Sequence, residues 1–376
     1  MFKRVLALFV ALCTLFANVY ANEEQVNCKS ALLMDFESGK VLYKMNPHER
    51  LPLASVTKIM TLLLTMEEIQ NGNLNYSDIV TASAYAKSMG GSTIFLDENE
   101  NMSVDDLLKG ICVASGNDAC VAIAEHISGS CDAFVERMNQ RAKELGMTNT
   151  NFVNCNGLDA QNHYSSAYDI ALMSRELMKH NDIFRYTTIW MDSLRNGKFT
   201  LTNTNKLVRF YEGTTGLKTG STSKAGFCIS ATAKRNGLHL ICVVMNSPTS
   251  QERQKTASSI LNYGFSTYSA QKVIKKEMAV KDITVNKGLK SHVGISYAND
   301  IRILTEKNSK AEPILKYDIK KSIDAPAYKG TCIGTVTCEY NGEIVGRSDI
   351  ILNESVERID FFSSYGKITD MWLGNI

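Results

Sequence analysis

No GxSxG elbow occurs in this 376-residue sequence, which excludes the strand–turn–helix serine hydrolases that expose their nucleophile on that turn. HExxH is also missing, and with it the helical zinc-peptidase site. The cysteines form no CxxC pair, so their spacing encodes neither a zinc site nor a thioredoxin-like dithiol. Six histidines stand far apart and read as structural residues, leaving nothing on which to build a histidine-based triad. Neither sign of charge is in excess, with 41 Lys+Arg against 39 Asp+Glu. That balance argues against nucleic acid as a partner and against a polybasic grip on lipid. Long repeats and low-complexity segments are absent too.

What is present begins with an apolar N-terminus. Lys3 and Arg4 precede the run from Val5 to Phe16, and Val19-Tyr20-Ala21 follows with small residues at the cleavage positions. Residues 1–21 therefore read as a secretory signal peptide, too short to span a bilayer and without a stop-transfer pattern. Leu12 stands where a lipoprotein site before Cys13 would need a small residue. The expected location is outside the cytoplasmic membrane, in the cell envelope. The remaining chain of about 355 residues exceeds one ordinary core, so two domains are expected. Nine of its cysteines lie beyond the signal, an odd number. Cys332 and Cys338 tempt a bridge, but six residues along one strand span about 20 Å, against a limit of roughly 7 Å between bridged Cα atoms. Most of these cysteines read as small buried hydrophobes, as in an envelope with little oxidising power.

Ala31 to Phe36 and Lys40 to Tyr43 predict a hairpin around Glu37-Ser38-Gly39. A loop from Pro47 to Pro52 leads to Ser55, where a helix begins; Ile59, Leu62, Leu63, Met66 and Ile69 recur at helical spacing. Ser103-Val-Asp-Asp106 suggests a capped helix start. Helices are expected over Ala119 to Ile127, Ala133 to Leu145, Ala167 to Lys179 and Thr256 to Gly264. Strands are expected over Gly216 to Gly220, Gly226 to Lys234 and Leu238 to Met245, the last two joined by Asn236-Gly237. This order predicts an α/β (α+β) domain with an antiparallel sheet over 22–268. Short β-branched runs follow, at Val280 to Val285, Asp300 to Thr305, Cys332 to Tyr340 and Glu343 to Leu352. They predict a small all-β domain over 269–364. A short tail, 365–376, is broken by glycine and barely charged. It offers at most a weak peripheral membrane contact through Ile368, Met371 and Trp372.

With histidine set aside, the base left for a serine nucleophile is lysine. Ser55-Val-Thr-Lys58 places a hydroxyl and an amine three residues apart on one helix face. SxxK alone is weak, since Ser221, Ser269 and Ser364 start further matches. Ser55 is singled out by opening a long apolar helix after a proline-bounded loop, where N-terminal amides favour a developing oxyanion. Ser115-Gly-Asn117 follows at a helix junction, and Lys218-Thr-Gly220, the only KTG, lies in a predicted strand. Taken singly, the first reads equally as a helix cap and the second as a polar strand end. Together and in order, they suit one site.

The ordered set SxxK, SxN and KTG resembles the penicillin-binding-protein and β-lactamase superfamily, and more narrowly the low-molecular-mass D-alanyl-D-alanine carboxypeptidases. Leu53 to Thr61, Ser115 to Cys120, Asn156-Gly-Leu-Asp159 with His163-Tyr-Ser165, and Gly216 to Ser221 before Ala225-Gly226 carry the likeness over about 28–268. The trailing β-domain is a family feature as well. The resemblance implies Ser55 as nucleophile, Lys58 as neutral base and Ser115 as proton carrier to the leaving D-alanine. Burial and the charge of Lys218 are the expected causes of a lowered Lys58 pKa. Asn117 would bond the substrate amide or hold Lys58. Thr219 would meet the substrate carboxylate, and Gly220 would let the peptide run beside the strand. The backbone amides of Ser55 and Ser221 would form the oxyanion hole. Arg253, after Ser247-Pro-Thr, would bind the terminal carboxylate. No cofactor or metal is implied. The expected partners are a peptidoglycan stem peptide ending in D-Ala-D-Ala, and β-lactams as covalent inhibitors.

The sequence departs from the family at Asn154-Cys-Asn-Gly157, where Asn-Pro-His-Gly is common. Two alternatives stay open here. A class A-like β-lactamase would need a glutamate between SxN and KTG, yet Thr148 to Tyr164 contains none. A non-catalytic envelope scaffold would have no need to keep every motif.

Overall fold

The structure, a computed structural model, describes residues 26–361 together with 365, 369 and 372. The signal peptide of residues 1–21 lies outside the described residues, as do Ile368 and Met371 of the tail. The chain forms two compact units: Met1–Met34, Val41–Ala233 and Leu240–Asn262 in one, and Asp35–Lys40, Lys234–His239 and Tyr263–Ile376 in the other.

The first unit is built on β1 (Ser30–Asp35), β2 (Val41–Met45), β3 (Thr214–Thr222), β4 (Gly226–Arg235) and β5 (Leu238–Ser247), hydrogen-bonded in the order β2-β1-β5-β4-β3. β1–β2 and β3–β4 pair antiparallel. β5 is almost wholly buried, which explains its near-continuous apolar sequence. The helices include α1 (Lys58–Gln70), α2 (Val104–Lys109), α3 (Asn117–Ser128), α4 (Cys131–Glu144), α5 (Ala167–Leu177) and α6 (Ser250–Thr267). In α1 every residue from Lys58 to Met66 is buried. Truncating a side chain such as Leu63, which has no exposure at all, costs about 2–5 kcal/mol.

Two helix starts bear directly on the site. Ser103 caps α2 as its sequence predicts, accepting from Asp106 N at 3.1 Å. At α6 the expected start at Thr256 is wrong. Thr249 Oγ1 accepts from Glu252 N at 3.1 Å, so the helix begins at Ser250 and carries Arg253 on its first turn. The polar residues Ser250 to Gln254 hid this turn, because they give no apolar periodicity.

In the second unit, β6 (Tyr268–Ile274) pairs antiparallel with β9 (Ile301–Glu306). The other strands are β7 (Ala279–Asn286), β8 (His292–Tyr297), β10 (Ile314–Ile319), β11 (Ser322–Asp324), β12 (Cys332–Tyr340) and β13 (Glu343–Leu352), in the order β10-β12-β13-β8-β7-β11. The small all-β domain is thus present, with four strands (β6, β8, β10, β11) that the sequence pattern did not reveal. Ile283, Val293, Ile295, Val336, Ile350 and Leu352 form its core. Cys332 and Cys338 lie on the single strand β12. The nine described cysteines are free thiols, and Cys112, Cys120, Cys155, Cys228, Cys242 and Cys338 are buried.

Candidate active site

Ser55 sits in a single 3-10 turn, Ala54–Thr57, immediately before α1. Two glycines let other segments close on that turn. A Cβ on Gly220 of β3 would lie 2.7 Å from Ser55 N and 2.9 Å from Val56 N, and one on Gly157 would lie 2.0 Å from Ala54 O. Gly157 also has φ +90°, a conformation that favours glycine. Gly220 is therefore needed for the strand to touch the nucleophile turn, a stricter reason than passage of a peptide alone. Thr57 Oγ1 donates to Ala54 O at 2.8 Å and lies 2.8 Å from His163 Nε2. Because His163 Nδ1 accepts from Val153 N at 2.9 Å, the neutral ring carries its proton on Nε2 and donates it to Thr57. Burial lowers the His163 pKa to about 4, which keeps the ring neutral.

Lys58 is wholly buried at the first position of α1. Its Nζ lies 2.9 Å from Ser55 Oγ, 2.6 Å from Asn117 Oδ1 and 2.5 Å from the Asn156 carbonyl. Burial lowers its pKa, while Cys120, Cys155 and Asp118 oppose the shift. Lys218, also buried, is lowered to about 7, first by burial and then by repulsion from Lys58. Burial is thus the leading cause at both lysines, and the repulsion between them disfavours charge on either. Asn117 uses both ends of its amide, since Nδ2 donates to Gly90 O at 2.7 Å. Of its two anticipated roles, the geometry favours holding Lys58.

Ser115 follows a π-helical turn, Gly110–Ala114, and adopts the left-handed φ of 64°. Such strained turns gather at functional sites. Ser55, Ser115, Thr219, Gly220, Ser221 and Arg253 line one small open cavity of about 140 Å³, together with Ser92, Thr204, Phe227 and Ser250. Lys218 lies behind that lining, with its Nζ on Thr219 O at 3.0 Å. Arg253 is 5% exposed; its Nη1 donates to Cys228 O at 3.3 Å and Nη2 to Ser250 Oγ at 3.2 Å. The buried Nε has no partner among the described residues.

Three sequence segments thus meet around one hydroxyl. The family described as D-alanyl-D-alanine carboxypeptidase matches residues 17–249, and that of the penicillin-binding protein 5 C-terminal domain matches 268–358. The chain belongs to the D-alanyl-D-alanine carboxypeptidase family. It is 42% identical to D-alanyl-D-alanine carboxypeptidase DacF of Bacillus subtilis over 92% of this chain and 90% of that protein. Among solved structures, a peptidoglycan synthesis regulatory factor (PBP3) from Streptococcus pneumoniae is similar with TM-score 0.76 and 27% identity, over 89% of this chain and all of that one. Penicillin-binding protein D2 from Listeria monocytogenes, in its cefotaxime-bound form, is similar with TM-score 0.59 and 30% identity, over 64% of this chain and 98% of that one. Membership supports the serine-type carboxypeptidase activity over the β-lactamase and scaffold readings.

In this carboxypeptidase, several site residues carry no sequence signal of their own. Thr204 Oγ1 accepts from Thr219 Oγ1 at 2.8 Å. The Asp118 carboxylate accepts from the Ile94, Leu96 and Ala119 amides at 2.9–3.0 Å and fixes the loop that carries Ser92. Asn156 contributes its backbone carbonyl, which no side-chain motif can report. Asp118 and Asn156 had a cue in their neighbours, since they lie within the Ser115 to Cys120 and Asn156 to Asp159 stretches.

Proposed function

We propose that this chain removes the terminal D-alanine from peptidoglycan stem peptides through an acyl-enzyme on Ser55. The observation that carries this is the hydrogen bonding of Lys58. A neutral amine has two N–H donors and one lone pair. The Asn117 and Asn156 carbonyls take both donors. The contact at 2.9 Å to Ser55 then leaves the lone pair facing the hydroxyl, the arrangement of a general base. Burial lowers the Lys58 pKa and so favours the neutral form.

In the reaction, Ser55 Oγ attacks the scissile carbonyl as Lys58 takes its proton. The Ser55 and Ser221 amides receive the oxyanion, and each such donor contributes about 3–4 kcal/mol. Ser115 passes a proton to the departing D-alanine. The unpartnered Arg253 Nε favours a carboxylate at its end of the cavity, joined by the Thr219 hydroxyl; Thr204 then returns its own proton to Thr219. Water hydrolyses the ester, and a β-lactam acylates the same serine.

The two family matches support reading 22–268 as the catalytic domain and 269–364 as a separate β-rich domain. The charged and apolar N-terminus supports secretion, and the tail 365–376 adds at most a weak lipid contact. Among the described residues no helix is long and apolar enough to cross a membrane. The deciding experiment is mass spectrometry of the protein after penicillin. One adduct on the Ser55 peptide, absent in Ser55→Ala, is expected; an adduct on another serine would end this reading.

A further inference from the structure

Thr57 stands at the N-cap position of α1, where a threonine hydroxyl ordinarily accepts from an amide of the first turn. Here it makes no such bond and turns back on its own chain, donating to Ala54 O at 2.8 Å. Ala54 has a positive φ of 49°, unusual for a residue with a side chain, and Gly157 packs directly over its carbonyl. With its one proton given to Ala54, the Thr57 oxygen accepts from His163 Nε2, at 2.8 Å. The neighbours of His163 hold it in place: Tyr164 exchanges backbone bonds with Asn151, and Ser165 with Leu51, at 2.9–3.1 Å. Its other nitrogen, Nδ1, accepts from Val153 N at 2.9 Å. Val153 opens the loop whose Asn156 carbonyl meets Lys58. That loop is bonded within itself, since Gly157 N donates to Asn154 Oδ1 at 2.7 Å and Asn154 Nδ2 to Leu158 O at 2.9 Å. One buried ring thus bonds both the turn that carries Ser55 and the loop that orients Lys58.

We propose that His163 is a positioning residue for acylation, holding the nucleophile turn through Thr57 and the lysine-orienting loop through Val153. The inference rests on Lys58 acting on Ser55 as described above. The three bonds run one way: Val153 N–H to Nδ1, Nε2–H to Thr57 Oγ1, and Thr57 O–H to Ala54 O. Each donor has one acceptor, so the direction fixes both the tautomer of the ring and the rotamer of the threonine. Without the ring, the Thr57 hydroxyl loses the donor that orients it, and the Val153 amide loses its acceptor. The turn and the loop can then shift relative to each other. Lys58 Nζ contacts both, at 2.9 Å to Ser55 Oγ and 2.5 Å to Asn156 O, so that shift acts on the contact that activates the serine. A displacement of about 1 Å at such a contact can cost about 10²-fold in rate. Thr219 and Arg253 stand on other elements, β3 and α6, so affinity should change far less than the acylation rate.

The test measures acylation by benzylpenicillin over a range of concentrations, which separates the limiting rate from the half-saturating concentration. Each rate is normalised to the active sites counted by intact mass. His163→Leu should lower the limiting rate about 10- to 100-fold, with the half-saturating concentration little changed. Thr57→Val should do the same, and it reads the same bond should His163→Leu not fold. His163→Gln and Thr57→Ser, which keep a donor and a hydroxyl there, should recover most of the rate. Because the two residues act on one path, the double variant should lose no more than the worse single variant. An unchanged limiting rate in the apolar variants, a loss seen only as fewer active sites or weaker binding, no recovery in the conservative variants, or losses that multiply in the double variant each overturns the proposal. The labelled peptide of the wild-type protein reports separately on the catalytic reading. A label on Ser55 with normal rates in the variants would remove the positioning role alone, whereas a label on another serine would remove the reading beneath it.

Discussion

Gly220→Ala isolates the contact between strand and nucleophile. The added Cβ would lie 2.7 Å from Ser55 N, 2.9 Å from Val56 N and 3.0 Å from Ala54 Cβ, and the first two are backbone atoms that cannot rotate away. Restoring ordinary contact requires β3 to retreat from the turn by roughly 0.7 Å. That retreat carries the Ser221 amide away from Ser55, opening the proposed oxyanion hole while leaving Lys58, Asn117 and the hydroxyl in place. Misplacement of this size costs about 30- to 100-fold in rate, or about 2–3 kcal/mol of transition-state stabilisation. The accompanying loss of stability from overpacking is about 1–3 kcal/mol. The assay is the second-order rate of acylation by a fluorescent penicillin, alongside thermal unfolding of the same samples. A lower kcat/KM for D-alanine release should follow in parallel. A variant that unfolds normally and acylates at the wild-type rate would refute the claim that this close approach builds the site.

Lys58→Arg keeps the charge but removes the base, since guanidinium does not deprotonate; acylation should fall by about 10²–10⁴-fold, and near-normal labelling would refute the lysine assignment. Arg253→Ala should reduce kcat/KM for the peptide by about 10- to 100-fold, as expected for losing a charged hydrogen bond, without loss of fold; unchanged kinetics would clear Arg253 of carboxylate binding. His163, with its pKa lowered from 6.5 to about 4 by burial, contributes stability that is complete above pH 6.5 and is lost as pH falls towards 4, by about 3 kcal/mol. His239 is lowered to about 4 in the same way. Urea unfolding of His163→Gln should therefore retain a reduced acid dependence, and an unaltered pH profile would contradict the buried neutral ring.

Sequence alone determined the main elements of the first unit and the order of the chemistry. Apolar periodicity marked α1, Asn236-Gly237 marked the turn between β4 and β5, and SxxK, SxN and KTG marked the segments that the fold brings together. These signals are local, because a motif or a hydrophobic stripe is written in neighbouring residues. The tertiary structure alone decided which groups satisfy one another. It made Asn117 a support for Lys58, recruited the carbonyl of Asn156 and the hydroxyl of Thr204, and buried both Lys58 and Lys218. It also set Arg253 on a helix turn whose polar residues carry no periodic signal. Backbone carbonyls have no letter in the code, and burial, which shifts a pKa, is a property of the packed whole. No single segment could therefore disclose them.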